Sequence, residues 1–182
     1  AFSNTDFNLH SILDERSSGF YALGLSKITK SPVLVCCTSG TALANFYPAV
    51  IEARMTETPL IIISADRPKE AIGTGENQTI NQDNLYGDYV KNYMSINCKN
   101  DTKKSIENKI TKIVNLSLGK IEGELLSEKG PIHINLHFDE PLLSNNSKSE
   151  FKNIEIKSVN PKDADIKSLT IDKSMKKTII VC

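Results

Sequence analysis

Short β-branched and apolar runs alternate along this chain with longer segments of helical period, the pattern of a parallel sheet with helices on its faces. Val33–Cys37 and Leu60–Ser64 are near-continuous apolar runs, each opened by a proline (Pro32 and Pro59), as strands buried on both sides require. Tyr93–Cys98 and Ile132–Leu136 read as two further strands, and Phe7–Leu13 as a short one. Glu15–Thr29 predicts a helix whose Gly19, Ala22 and Gly24 permit close packing. Thr38–Met55 predicts a turn and a helix. The stripe Ile106, Ile110, Val114, Leu118, Ile121 and Leu125 recurs every three or four residues among Lys and Glu. That spacing predicts one amphipathic helix packed on the sheet, ended by Gly130 and Pro131. The fold class is therefore α/β, a parallel sheet with helices on both faces.

After Leu143 the pattern fades. Ser144–Met175 is polar and rich in Ser, Asn and Lys, which reads as a linker. The expected organisation is one domain over residues 1–143, a linker over 144–175 and the first strand of another domain at 176–182. A strand-like segment almost at the start and a lone apolar strand at the end predict a piece of a longer protein, lacking the first strand and helix of this domain.

Charge narrows the partners. The chain has 182 residues, with 22 Lys plus Arg against 22 Asp plus Glu, so no basic surplus draws in nucleic acid or an anionic membrane. A small molecule or a protein is the partner to expect. No apolar run approaches the roughly 20 residues of a membrane-spanning helix. The four cysteines, Cys36, Cys37, Cys98 and Cys182, show neither a CxxC pair nor disulfide spacing, and read as buried free thiols of a reducing, cytoplasmic protein. Only three of the 22 basic residues are arginines (Arg16, Arg54, Arg67).

In a parallel α/β sheet, ligands collect at the carboxyl ends of the strands, where helix N-termini present unpaired N–H groups. Three segments fall there: Leu13–Gly19; Cys37–Asn45; and Ser64–Pro68 together with Gly75–Gln82. Read alone, Glu15 is a solvated acid favoured by a helix N-terminus, and Ser39 or Thr38 a plain N-cap. Asp66 and Arg67 are either a local ion pair or ligand contacts. A phosphate loop is excluded at Thr38–Asn45, because no Lys follows the glycine and no GxGxxG is present. His133 and His137 alternate on a strand with Asn135 and read as packing or surface residues. No cluster has metal-ligand spacing.

Together the three segments resemble the pyrimidine-binding domain of thiamine-diphosphate enzymes. The strand, Thr38-Ser39-Gly40 and a helix carrying Asn45 are shared widely across that superfamily. Ser64-Ala65-Asp66-Arg67-Pro68, Gly75-Glu76-Asn77-Gln78-Thr79-Ile80-Asn81-Gln82 and Gly130–Leu136 are more specific, and resemble the synthase branch serving menaquinone and phylloquinone biosynthesis. The likeness runs from about His10 to Leu143. Two departures stand out: Glu76 replaces a small residue, and Thr41-Ala42 replaces the Pro-Gly common elsewhere.

The resemblance implies roles. Glu15 is the catalytic and cofactor-binding glutamate, set against N1′ of the aminopyrimidine so that a shared proton favours the imino tautomer that activates C2. Thr41 and Asn45 lie near the pyrimidine ring. Arg67, Asn77 and Gln78, beside Asp66, face the anionic substrates, 2-oxoglutarate and isochorismate. The former is decarboxylated and its succinyl carbanion equivalent is added in conjugate fashion to the latter. Thiamine diphosphate and Mg²⁺ are the implied cofactors, with the diphosphate and metal ligands outside this chain, and a homodimer or homotetramer completes the site. An acetolactate-synthase-type lyase and a non-catalytic, partner-binding α/β domain remain open as alternatives.

Overall fold

The computed structural model describes residues 9–121, 124–125 and 127–140. In chain order the elements are α1 (Glu15–Thr29), β1 (Val33–Cys37), α2 (Thr41–Asn45), α3 (Tyr47–Met55), β2 (Leu60–Asp66), β3 (Tyr93–Asn97), α4 (Lys103–Ser117), β4 (Lys120–Ile121), β5 (Glu124–Leu125) and β6 (Ile132–His137). Four strands form one parallel sheet in the order β1-β2-β6-β3, while β4 and β5 pair antiparallel on their own. The chain places β3 two positions beyond β2 and later returns to fill the gap with β6. That makes β2 and β6 the central strands.

Helices cover both faces, as the hydrophobic pattern predicts. Leu60 and Ile62 of β2 join Val35, Leu43, Phe46, Val50 and Tyr86 in a core beneath α1–α3. Ile61 of β2, Ile132 and Ile134 of β6, and Ile96 of β3 form a second core with Ile113 of α4. Alternation of side chains along a strand sends successive residues to opposite faces, so each apolar run serves both layers.

The register extends this alternation to the strand ends. Ser64 pairs with Asn135, Ile62 with His133, and Asp66 with His137; Ser95 pairs with Asn135 and Asn97 with His137. On the α1–α3 face β2 therefore turns from apolar (Leu60, Ile62) to polar (Ser64, Asp66) toward its carboxyl end, while β6 beside it is polar throughout (His133, Asn135, His137). On the α4 face Ile63, Leu136 and Ile96 keep the rows apolar throughout.

Several elements differ from the sequence reading, each for a local reason. Leu9–Leu13 is not a strand; it lies across Val33–Cys36 and α1, lining a cleft of about 530 Å³ through side chains, with Tyr21 Oη 3.2 Å from His10 Nδ1. The Thr38–Met55 helix is two helices, because Pro48 in the first turn of α3 carries no N–H to continue the ladder from α2. β2 runs two residues further than read, to Asp66, and β6 one further, to His137.

The amphipathic stripe does not stay helical to Leu125. Gly119, at φ +71°, ends α4, and Ile121 and Leu125 fall in the β4–β5 pair. Cys36 and Cys98 are exposed rather than buried, since β1 and β3 are the sheet's edge strands. The linker at 144–175, the strand at 176–182 and Cys182 lie outside the described residues. Among the described residues, no helix is long and apolar enough to cross a membrane.

The start of α1 is positioned by a close helix contact. A Cβ on Gly19 would lie 3.0 Å from Ala49 Cβ of α3 and 3.2 Å from Phe46 Cδ1. Gly19→Val should therefore push α1 off α3 and cost about 1–3 kcal/mol through overpacking. A denaturant midpoint equal to that of the parent would contradict this contact.

Candidate functional site

At the carboxyl end of β1 the chain turns through Thr38, Ser39 and Gly40 into α2. Glu15 lies beside this end. Asp14 caps α1, its carboxylate accepting from Ser17 N at 2.8 Å; the Ser17 side chain, and then this backbone hydrogen bond, hold the Asp14 carboxyl below the usual range. Glu15 follows as the first helical residue, half-buried, and its carboxylate has no hydrogen-bond or ion-pair partner among the described residues. Its charge is felt at Cys37, whose thiol is pushed up to about 12, first by burial, then by Cys36 and Glu15.

The turn is clamped by one loop. Gly40 adopts φ +81°, and a Cβ there would press on Gln78 Cγ at 3.0 Å and Gln78 O at 3.1 Å. Gln78 Nε2 donates to Thr38 Oγ1 at 3.0 Å and to Ser39 O at 3.1 Å. Both amide protons of Gln78 are thus engaged within the domain. Gln82 grips the same turn from beneath, its Oε1 accepting from Gly40 N at 2.7 Å. Tyr86 Oη, donating to Leu43 O at 2.8 Å, anchors α2. Thr41 and Asn45, one helical turn apart and both exposed, share a face of α2.

Below the loop, Gln82 opens a buried polar network. Its Nε2 donates to Ala65 O at 3.1 Å and to Asn135 Oδ1 at 2.8 Å. Asn135 Oδ1 also accepts from Ser64 Oγ at 2.6 Å, and Asn135 Nδ2 donates to Asp66 Oδ2 at 2.7 Å. Asp66 Oδ1 in turn accepts from the backbone N–H of Arg67 at 2.8 Å. His137 Nδ1 stands 2.8 Å from Arg67 O and 3.6 Å from Asp66 Oδ2, with Nε2 3.0 Å from Ser95 Oγ. A carbonyl only accepts, so Nδ1 carries a proton.

Proton counting also fixes His133. Ser64 gives its one proton to Asn135 Oδ1, so the 2.8 Å contact between Ser64 Oγ and His133 Nε2 needs the proton on Nε2. Nδ1 is then a bare lone pair, buried without a partner, between the rings of Tyr86 and Tyr93. Burial lowers the His133 pKa to about 4.

The structure thus places Glu15 near Cys37 at the carboxyl end of β1, Thr41 and Asn45 on the short helix that follows the turn, and Gln78 against that turn. Arg67 stands at the end of β2, and its Nε is a buried donor with no hydrogen-bond partner. Asp66 and Arg67 do not form a side-chain ion pair; the Asp66 carboxylate binds the Arg67 backbone instead. Asn77 is exposed on the loop. An open cleft of about 700 Å³ near the ends of β2, β3 and β6 is lined by Pro68, Glu70, Thr74, Lys99, His137 and Asp139, and by none of the predicted site residues.

Gln82, Ser64 and Asn135 were not singled out by the sequence reading. Their signal was present, however. Polar residues two apart in largely apolar strands, as at Ser64 and Asp66 or at His133, Asn135 and His137, fit an internal network as well as a solvated face.

A parallel α/β domain with its uncommitted polar groups at the strand ends defines a class, and comparison with known proteins specifies it. Residues 1–85 match the family described as thiamine pyrophosphate enzyme, N-terminal TPP binding domain. Over that stretch, just under half of its length, the chain is similar to the thiamine pyrophosphate enzymes. Within them it is similar to proteins named 2-succinyl-5-enolpyruvyl-6-hydroxy-3-cyclohexene-1-carboxylate synthase. That of Bacillus pumilus is 36% identical over 192 residues, covering 100% of this chain and 32% of the relative. That of Flavobacterium johnsoniae is 43% identical over 139 residues (76% of this chain, 23% of the relative). That of Natronomonas pharaonis is 43% identical over 137 residues (75% and 23%). The chain spans about a third or less of the length of these relatives.

The buried histidine yields a pH prediction. Its folded pKa of about 4 lies below its ordinary 6.5, so on acidification the unfolded chain takes up this proton first. The contribution of His133 is complete above about pH 6.5 and is lost as the pH falls toward 4, by about 3 kcal/mol in total. His133→Gln, whose amide can still donate to Ser64, should flatten the denaturant midpoint across that window. An unchanged slope would remove His133 as its source.

Proposed function

We propose that this chain supplies the pyrimidine-side half of the active site in a thiamine-diphosphate-dependent synthase. The synthase decarboxylates 2-oxoglutarate and adds the resulting succinyl unit in conjugate fashion to isochorismate, for menaquinone or phylloquinone biosynthesis. The observation that carries this reading is the uncommitted carboxylate of Glu15, held at a helix start beside the β1–α2 turn. The relatives' shared name supports the choice of reaction.

The residues present fit the cofactor's aminopyrimidine. That ring needs an acid at N1′ and hydrogen-bonding partners around its edge. Glu15 offers an unpaired carboxylate, and Thr41 and Asn45 offer an exposed hydroxyl and amide on one helix face. Bound thiamine diphosphate supplies the nucleophilic carbon and the electron sink for decarboxylation. Glu15 holds the proton shared with N1′. Thr41 and Asn45 orient the ring. Arg67 provides a cation for a substrate carboxylate; Asn77 and Gln78 complete the polar wall. In this reading the diphosphate and Mg²⁺ are held elsewhere in the enzyme, which works in the cytoplasm as a homodimer or homotetramer with the site closed by a partner subunit.

Glu15→Gln in the intact enzyme is the direct test. Among the described residues no hydrogen bond or ion pair depends on the Glu15 carboxylate, so the variant should fold as the parent does. An amide cannot share an acidic proton, and activity should fall by roughly 10² to 10⁴, the usual loss for a general acid or base. Hydrogen exchange at C2 of bound thiamine diphosphate should slow in step. Exchange at the parental rate would show that another group activates the cofactor.

A further inference from the structure

We infer that Gln82 is a positioning residue for Arg67, coupling the β1–α2 turn to the end of β2 through buried amides. The inference rests on the reading of Arg67 as the substrate-facing cation. Four hydrogen bonds run in sequence: Gly40 N–H to Gln82 Oε1 (2.7 Å), Gln82 Nε2 to Asn135 Oδ1 (2.8 Å), Asn135 Nδ2 to Asp66 Oδ2 (2.7 Å), and Arg67 N–H to Asp66 Oδ1 (2.8 Å). The Arg67 carbonyl is held as well, by His137 Nδ1 at 2.8 Å.

Each link is short, and Gln82, Asn135 and Asp66 are buried at 0%, 0% and 4% exposure, so water does not compete for them. The relay ends at a residue whose own Nε is buried and unpartnered. A buried donor without an acceptor is costly, so the guanidinium is held with one hydrogen bond still unmade. The backbone that aims it is fixed on both sides by the network. Gln82 touches neither reacting group in this arrangement; it acts through Asn135 and Asp66. The same side chain fixes Gly40, and with it the turn from which Thr41 and α2 start. One amide therefore sets the separation between the cofactor side and the cation.

The experiment is a double-mutant cycle in the intact holoenzyme. Gln82→Met is close in shape and removes both links. Alone it should raise KM for the substrate that Arg67 holds by roughly tenfold, the scale of one lost hydrogen bond to a charged group. With Arg67→Ala already present, the same change should have little further effect, because its route to the substrate is gone. Equal effects of Gln82→Met in both backgrounds would overturn the coupling while leaving the role of Arg67 intact. An Arg67→Ala enzyme with unchanged KM for both substrates would defeat the substrate role of Arg67, and the coupling with it.

A second measurement avoids the stability of Gln82→Met altogether. Isochorismate added to the otherwise wild-type holoenzyme should increase protection of the Gly40 amide from hydrogen exchange, and should not do so in Arg67→Ala. A response of equal size in both proteins would overturn the relay.

Discussion

The carboxyl half of the sheet depends on one constraint: polar side chains of the central strands point inward, where no water satisfies them. Ser64, Asp66, His133, Asn135 and His137 are all buried. An unpaired polar group there costs about 1–3 kcal/mol, so the five must satisfy one another or draw partners from outside the sheet. They do both. Asn135 uses its carbonyl for Ser64 and Gln82 and its amide for Asp66. Gln82 comes from the loop after β2, and that loop is fixed because the network needs its side chain.

This arrangement explains how a long polar connection over 67–82 is held in place. Loops are ordinarily the mobile part of a domain. Here two glutamines four residues apart hold the loop to the turn after β1, Gln78 against Thr38 and Ser39, Gln82 against Gly40. Gly40 is required at the meeting point: its positive φ suits glycine, and the Gln78 backbone occupies the space a Cβ would take. The loop, the turn and the helix that begins at Thr41 are one unit.

The two strand-end carboxylates illustrate how environment divides roles. Asp66 is fully engaged, accepting from a backbone N–H and an amide beside His137, and serves as structure. Glu15 is half-buried, lies next to the β1–α2 turn and has no partner among the described residues. A carboxylate with internal partners is stabilised in place; one without them is free to exchange a proton with a ligand.

The sequence alone determined the α/β class, α1 and the four sheet strands to within two residues, because apolar runs and helical periods are local properties that burial on both faces demands. It also fixed which segments reach the strand ends. Contacts between distant segments were decided only by the tertiary structure. The stripe through Ile121 and Leu125 keeps helical spacing past Gly119, yet the backbone turns there. The polar alternation of β6 is plain in the sequence, but whether it faces water or a core depends on β6 entering between β2 and β3. Gln82 and Asn135 lie 53 positions apart in the chain. No local pattern pairs them; only the parallel register, which sets Ser64 against Asn135, brings the loop's amide to the strand's and makes Arg67 part of the same unit as Gly40.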